Sequence, residues 1–309
     1  MSDRVQTAWV SRPVGGIPVS ADLAPSIVFA VLYAIYYPTS FITFSFANHG
    51  MEHDSDLDCP LCVERIAWCI IRAIQASQPE KRMLNGLTRY AQATVGLGFI
   101  GISSDAVRLL RTILVNTTLP ENGASKDRRT ARRCYRYFCY IFELAFLASS
   151  VPGLVASNAY NSARFDQPKA DRNLRLLNAS AGVVLAFQLV TILVSLLAAW
   201  KVKEIDRIRC FELAALTALI IPVPIYRLCV LGIRTINVFE ALSPSARAVF
   251  YIVHLAPEWL CVSVLLSTNV RSRFRTGKWG DYELRESLRD KRLAKAAEEE
   301  SVSNTAKAV

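Results

Sequence analysis

The sequence is poor in charged residues, which make up 20% of its 309 positions, and one long stretch contains none. From Leu176 to Trp200 there are twenty-five consecutive residues without a charged side chain. A helix of this length would extend roughly 37 Å, which exceeds the hydrocarbon core of a bilayer, about 30 Å thick. Soluble helices that are apolar on every face rarely run so long. We therefore expect this stretch to span a membrane.

Signals of several other protein classes are also missing. The first twenty residues contain no apolar signal-peptide core, so the first membrane helix is expected to carry out the targeting itself. The eight cysteines are scattered through apolar segments, which is typical of small buried residues and not of a disulfide framework. There is no recognisable Ser/His/Asp arrangement, phosphate-binding loop or metal-ligand cluster. We expect no enzymatic activity, no cofactor and no bound metal.

What the sequence does contain is an excess of apolar residues and of positive charge. Hydrophobic residues make up 52% of the chain and the formal net charge is +10. The mean hydropathy of +0.26 is higher than that of a typical soluble domain. No nucleic-acid-reading motif accompanies the basic residues, so we assign them to loops and tails at a membrane surface and expect no nucleic-acid partner.

The apolar runs predict an all-α fold, a polytopic membrane protein with a seven-transmembrane-helix bundle over residues 23–270. A polar N-terminal tail, residues 1–22, precedes it, and a charged C-terminal tail, residues 271–309, follows. Residues 105–114 resemble an amphipathic extension of the third span out of the membrane. The predicted spans cover residues 23–46, 60–76, 84–106, 135–156, 176–200, 211–233 and 249–268.

The distribution of Lys and Arg predicts the orientation of this bundle. Seven spans place the two termini on opposite sides. The loops on the side of the C-terminus, together with the C-terminal tail, carry roughly twice as many basic residues as the opposite set. The positive-inside rule therefore places the C-terminus in the cytoplasm and the N-terminus outside, in the plasma membrane or an endomembrane. The basic loop 119–133 and the C-terminal tail are the expected surfaces for a cytosolic partner.

We single out seven of the ionisable residues inside predicted spans, because a charge there is unfavourable by a few kcal/mol and therefore marks a functional candidate. Arg65 and Arg72 share one face of span two, which suits an anionic headgroup or an acidic partner such as Glu143. Snorkelling to the interface and structural pairing are alternative explanations. The seven residues are Glu64, Arg65, Arg72, Glu143, Arg227, His254 and Glu258.

His254 and Glu258 are spaced i, i+4 on span seven and share a face, which allows a proton relay, a metal pair or a hydrogen-bonded couple. A metal site needs three or four ligands, and no third histidine lies nearby. Arg227 follows Pro222 and Pro224, whose missing amide donors leave backbone carbonyls available to a cavity.

Together these residues predict a polar cavity inside the bundle, lined by the carboxylates, arginines and His254. An amphiphile with an anionic or amine head would bind there, with its tail along apolar helix faces, while membrane lipids surround the protein. The sequence thus favours a transporter-like protein that handles lipids or amphiphilic compounds. A seven-span receptor that signals through its cytoplasmic loops is the alternative.

Motifs distributed over most of the chain carry a family resemblance. They are Pro25-Ser26, the acid-to-arginine spacing from Glu64 to Arg72, Tyr90, Gln92, Leu110-Arg111, Ile225-Tyr226-Arg227, and Phe250 to His254 with Pro257. This pattern resembles the fungal lipid-translocating exporter family and related fungal seven-span families, some of them receptor-like. The resemblance implies a plasma-membrane or organellar protein that moves, or confers tolerance to, lipids, sterol-like compounds or long-chain bases.

The segment from Cys59 to Trp68 carries a second resemblance. It is similar to the redox motif of bacterial quinone-coupled disulfide oxidases, in which a dithiol opens the second span and an arginine follows to hold quinone. This would make Cys59 and Cys62 redox candidates, since two close thiols at a membrane surface can exchange with a partner. The predicted topology places them in the reducing cytoplasm, so a thiol oxidase remains a remote alternative.

Overall fold

The computed structural model describes residues 6–48, 58–119, 127–202, 205–268 and 270–276; for residues 37–48, 58–60, 83, 85, 271 and 272 it describes the backbone alone. Most residues within these ranges are helical. The α-helices are α1 (Leu23–Asn48), α2 (Asp58–Ser77), α3 (Asn85–Asn116), α4 (Arg129–Ala163), α5 (Gln167–Lys201), α6 (Arg207–Ile220), α7 (Pro222–Leu231), α8 (Pro244–Val249), α9 (Ala256–Ser267) and α10 (Val270–Phe274).

Three shorter kinds of element complete the fold. A π-helical turn, Phe250–Leu255, joins α8 to α9 without a break in the helix path. Single 3-10 turns, Ser20–Asp22 and Pro79–Met83, precede α1 and α3. Two strands of two residues each, β1 (Val10–Ser11) and β2 (Arg234–Thr235), pair in antiparallel fashion.

Helix boundaries follow local sequence signals. The side chain of Asp166 accepts a hydrogen bond from the backbone N–H of Lys169 at the start of α5, and Asp206 caps α6 in the same way. The predicted break in span six is confirmed, because α6 ends before Ile221 and α7 begins at Pro222. Proline lacks an amide hydrogen and clashes with the preceding turn, so a helix is interrupted there.

Five helical stretches in the described ranges are long and apolar enough to cross a membrane: residues 86–116, 129–163, 167–201, 207–231 and 244–267. The part of α1 with described side chains forms a shorter apolar helix with the turn before it. Charged residues, among them Glu64, Arg65 and Arg72, lower the hydropathy of α2. The all-α fold with membrane-type helices is therefore confirmed, and the seven-span bundle stays a prediction.

The helices coincide with the predicted spans, but several are longer. The helices α4 and α5 each have 35 residues and extend past their apolar centres into charged ends. One prediction is corrected in α3, where residues 105–114 do not form an exposed extension. Val107, Leu110 and Val115 are fully buried, so this segment belongs to the packed core of the bundle.

The helix α3 lies at the centre of the arrangement and packs against α2, α4, α5, α6 and α9. Its apolar stretch is 56% buried, whereas that of α4 is 22% buried. Polar side chains face inward, as in the 2.7 Å hydrogen bond that Gln188 donates to Ser103. Large apolar side chains are exposed on the outer surfaces of the helices, for example Leu144, Leu147, Leu193, Trp200 and Ile252. This distribution suits a lipid environment.

The two ends of the described chain lie at opposite ends of the bundle. The backbone N–H groups of Thr7 and Ala8 donate to the carbonyl of Arg164, which follows α4. At the other end, the side chain of Asn116 donates to the carbonyl of Phe274. The helix α4 runs between these two ends, and its 35 residues extend about 52 Å.

Candidate functional site

A buried ion pair between α2 and α9 forms the middle of the candidate site. The guanidinium of Arg65 donates to Oε1 of Glu258 from Nε at 3.0 Å and from Nη2 at 2.5 Å. Its Nη1 donates to the backbone carbonyl of Thr94 on α3 at 3.1 Å. Both charged side chains are fully buried, at 0% exposure. Such a pair is retained only when its hydrogen bonds offset the loss of hydration.

Glycine on α3 makes room for this pair. A methyl group at Gly98 would overlap with the guanidinium of Arg65 and with the carboxylate of Glu258. Two residues earlier, a methyl group at Gly96 would lie 3.2 Å from Nη2 of Arg227. The absence of a side chain at these two positions allows the charged ends of Arg65, Arg227 and Glu258 to approach the α3 backbone.

Arg227 on α7 is a second buried guanidinium. It donates to the backbone carbonyl of Val95 at 3.2 Å and lies over the ring of Phe99 at 5.1 Å. Within the described residues it has no ion pair, and its Nε has no hydrogen-bond partner. A buried cation with spare hydrogen-bonding capacity is suited to an anionic ligand.

His254 lies in the π-helical turn, packed against the rings of Tyr226 and Phe250 at centroid distances of 5.8 and 5.5 Å. Both of its ring nitrogens are buried, and in the part of the chain that the structure describes neither has a hydrogen-bond partner. Oε2 of Glu258, one turn further along, is also without one. Single π-helical turns are frequent at functional sites.

Glu64 lies at the outer edge of the group that Arg65, Arg227, His254 and Glu258 form. Its Oε1 lies 3.6 Å from Nη1 of Arg65, and its side chain is 23% exposed. The structure thus brings five of the predicted residues into one group, which we call the central charge site: Glu64, Arg65, Arg227, His254 and Glu258.

Arg72 belongs to a separate cluster about 10 Å further along α2, given its seven-residue distance from Arg65. It donates to Asp22 at 3.1 Å, to the hydroxyl of Tyr251 at 3.0 Å and to the carbonyl of Gly15 at 2.6 Å. Tyr251 in turn donates to Asp22 at 3.0 Å. We call this group the Arg72 clamp, since it fastens the N-terminal segment onto the bundle.

Glu143 lies elsewhere, between α3 and α4. Its carboxylate is 3.1 Å from Arg111 and 3.9 Å from Arg108. Arg111 is thirteen residues from Gly98 on the same helix, which separates the two sites by about 20 Å. The predicted pairing of Glu143 with Arg65 or Arg72 is therefore wrong: the acidic partners are Glu258 and Asp22.

The redox candidates receive little geometric support. Cys62 is fully buried in the core of the bundle, whereas thiol exchange requires access for a partner. The side chain of Cys59 lies outside the described residues. Arg65, which the quinone-oxidase resemblance would assign to quinone, forms the ion pair with Glu258.

Of the basic loop 119–133, the structure describes residue 119 and residues 127–133. There Arg132 donates to Asp127 at 2.7 Å, and Arg129 donates to it at 3.3 Å. Burial slightly opposes ionisation of this carboxylate, but the two arginines lower its pKa below the usual value. Arg128 and Arg133 are exposed at the start of α4.

Some site residues had no sequence signal that we recognised. Asp22 falls within the predicted polar tail, so nothing in its neighbourhood indicated a buried partner for Arg72. Tyr251 could have been found, because it precedes His254 and Glu258 by three and seven residues and thus shares their helix face.

Comparison with protein-family models, curated proteins and solved structures gives no match. Among the described residues no group of three or more His, Cys, Asp or Glu side chains is arranged to hold a metal ion. The ionisable groups of the central charge site are two guanidinium groups, two carboxylates and one imidazole.

Proposed function

We propose that this chain is a transporter-like integral membrane protein that binds the ionic head of a lipid or other amphiphile at the central charge site. The observation that carries the proposal is the presence of Arg65, Arg227 and Glu258, all buried, inside a bundle of apolar helices. A charge at the centre of a membrane helix is unfavourable by about 2.5–3.5 kcal/mol on insertion scales. Residues that impose such a penalty are typically kept for a substrate pathway.

The hydrogen-bonding capacity left in the site supports an ionic ligand. Nε of Arg227 and Oε2 of Glu258 are buried, and the described part of the chain provides no partner for either. An anionic head would bind next to Arg227, and an amine head would bind next to the carboxylate of Glu258. Both head types are therefore compatible with the site.

The position of Glu64 supports entry of the ligand head group from the side of the bundle. Its side chain is 23% exposed, and its Oε1 lies 3.6 Å from Nη1 of the fully buried Arg65. Val63 and Ile70 on α2 are about half exposed and apolar, which offers a surface for an acyl chain. A head group would pass Glu64 while its tail stays in contact with the outer face of α2.

Two irregular helix segments next to the site support a conformational change during transport. The π-helical turn contains His254, and the break at Ile221 precedes the helix that contains Arg227. Helices bend most readily at proline and at π-helical turns. Movement at these two places would alter access to the central charge site.

The test is lipid movement across proteoliposomes that contain the purified protein. Fluorescent analogues of an anionic phospholipid and of a long-chain base are compared in the intact protein, in Glu258→Gln and in Arg227→Gln. The matched control is Glu80→Gln, an exposed carboxylate on the turn before α3. We expect movement in the intact protein and the control and loss in the two site variants. Absence of movement in the intact protein would contradict the proposal.

The second candidate is a seven-span receptor, favoured by the exposed Arg128 and Arg133 at the start of α4. Ligand-dependent capture of a cytosolic protein by loop 119–133 would support it over transport. Membership of the fungal lipid-translocating exporter family, the seven-span topology and the cytoplasmic C-terminus are part of our proposal. They rest on the sequence motifs and on the distribution of basic residues.

A further inference from the structure

A pocket of about 50 Å³ lies at the end of the bundle opposite the N-terminal segment. The end of α3, the start of α6 and the segment around α10 form its walls, and Asn116, Arg209, Arg273 and Arg275 are among its lining residues. It is separate from the central charge site and from the Arg72 clamp, neither of which contributes a lining residue. Its chemistry is dominated by arginine.

The charges around the pocket do not balance. Glu212 accepts from Arg209 at 2.9 Å and from Arg273 at 2.6 and 3.0 Å, so its two oxygens are engaged by two guanidinium groups. Asp206 is engaged at the start of α6, where it accepts from two backbone N–H groups. Among the described residues, three arginines thus face two carboxylates, which leaves one positive charge without a counter-charge in this part of the chain.

Arg275 is the arginine without an acidic partner. Its side chain forms neither an ion pair nor a hydrogen bond with any residue that the structure describes. Its backbone has a φ of +53°, a left-handed conformation uncommon for residues other than glycine. Asn116 donates to the carbonyls of Phe274 and Arg275 at 3.2 and 3.3 Å and so holds this turn against α3.

Asn116 also contributes an acceptor to the pocket. Its Oδ1 is buried and has no hydrogen-bond partner among the described residues. A ligand that carries a hydroxyl next to an anionic group would satisfy both Asn116 and Arg275. Glycerol and inositol phosphates combine these two groups.

The surroundings of the pocket favour a membrane ligand over a free anion. At the start of α6 the apolar side chains of Ile208 and Phe211 are 66% and 57% exposed. They lie within one turn of Arg209, so an acyl chain can follow α6 while its head stays at the pocket. Basic pockets between helices at the membrane surface are a common way to bind anionic lipid heads.

We propose that this pocket binds the phosphoryl group of an anionic lipid, with Arg275 and Arg273 as donors to the phosphate and Asn116 as acceptor from a neighbouring hydroxyl. A phosphate monoester carries a charge of about −1.5 to −2 at neutral pH and accepts several strong hydrogen bonds. This matches the unpaired cation at Arg275. The site is independent of the transport proposed above.

The test measures binding of three probes to the purified full-length chain in nanodiscs or detergent: lysophosphatidic acid, inorganic phosphate and lysophosphatidylcholine. Lysophosphatidic acid is a glycerol phosphate monoester that keeps a free hydroxyl next to its phosphate. The variants are Arg275→Gln and, as a matched control, Arg133→Gln, which removes an exposed arginine from the start of α4 at the same end of the bundle. Loss of one charge-assisted hydrogen-bond donor is expected to weaken lysophosphatidic acid binding about tenfold or more in Arg275→Gln.

Lysophosphatidic acid should bind the intact protein and Arg133→Gln equally, and lysophosphatidylcholine should bind neither. If inorganic phosphate binds as tightly as lysophosphatidic acid and loses affinity in Arg275→Gln, the pocket is a phosphoryl site whose natural ligand is a soluble phosphate. Unchanged thermal midpoints of the variants without ligand show that folding is intact. Equal binding of lysophosphatidic acid to the Arg275 and Arg133 variants, or absence of binding by both phosphate probes, would overturn the proposal.

Discussion

Arg65 on α2 and Glu258 on α9 contact each other through two hydrogen bonds, 3.0 and 2.5 Å long, in the interior of a bundle whose outer surface is apolar. They are 193 residues apart in the sequence. Their contact joins α2 to α9 across α3. Removing either partner leaves a buried charge without compensation.

The first prediction concerns this pair. Arg65→Met or Glu258→Leu alone should lower the free energy of unfolding in detergent by about 3–5 kcal/mol, because an uncompensated buried charge remains. The double variant should be more stable than either single variant, since both charges are then absent. SDS-unfolding curves of the four proteins measure the coupling, and additive effects of the two substitutions would show that the groups do not interact.

The second prediction concerns Gly98, the glycine on α3 that faces the Arg65–Glu258 pair. Gly98→Ala should lower the free energy of unfolding by about 1–3 kcal/mol, because the methyl group would displace the charged ends of Arg65 and Glu258. Gly101 on the same helix provides a matched control, since a methyl group there meets nothing within 4 Å. Thermal midpoints in detergent compare Gly98→Ala with Gly101→Ala, and equal values would contradict the geometry.

The third prediction concerns the Arg72 clamp. Arg72→Gln removes the ion pair with Asp22, so the N-terminal segment should open more readily. Amide hydrogen exchange of residues 15–22 should become about tenfold faster or more, given the usual contribution of charge-assisted hydrogen bonds. Arg89→Gln, an exposed arginine on α3, should leave that exchange unchanged. Identical exchange in the two variants would mean that Arg72 does not hold this segment.

The fourth prediction separates Glu143 from the central charge site. Because the two lie about 20 Å apart along α3, the stability effects of Glu143→Gln and Glu258→Gln should add within about 0.5 kcal/mol. Lipid movement should be reduced in Glu258→Gln and retained in Glu143→Gln. A loss of transport in Glu143→Gln with intact folding would place both carboxylates on one pathway.

Much of the helical layout could be predicted from the sequence, because membrane-type helices are encoded by long local runs of apolar residues. The break at Pro222 and the inward position of Glu258 follow from such local signals. The pairing of charges could not be predicted, because it depends on which helices are neighbours. Arg65 pairs with Glu258 on another helix, and Glu143 pairs with Arg111 on another helix. The spacing of residues along one helix does not specify such contacts between helices.

Two further errors have the same physical origin. The segment 105–114 has an amphipathic pattern, which in isolation indicates a helix at a surface. In the bundle its polar members, such as Arg111, pair with α4, and its apolar members pack in the core. Asp22 was assigned to the end of the polar N-terminal tail, whereas it ends the turn Ser20–Asp22 and pairs with Arg72 at 3.1 Å.

The central claim is that these helices cross a bilayer and enclose the Arg65–Glu258 pair. The most direct test introduces single cysteines into an otherwise cysteine-free chain, at the exposed Trp9 near β1 and at the exposed Arg133 at the start of α4. Their reaction with a membrane-impermeant maleimide is then measured in sealed vesicles. We predict that Trp9→Cys and Arg133→Cys react from opposite sides of the membrane. Reaction of both from the same side, or release of the protein from the membrane without detergent, would contradict the account.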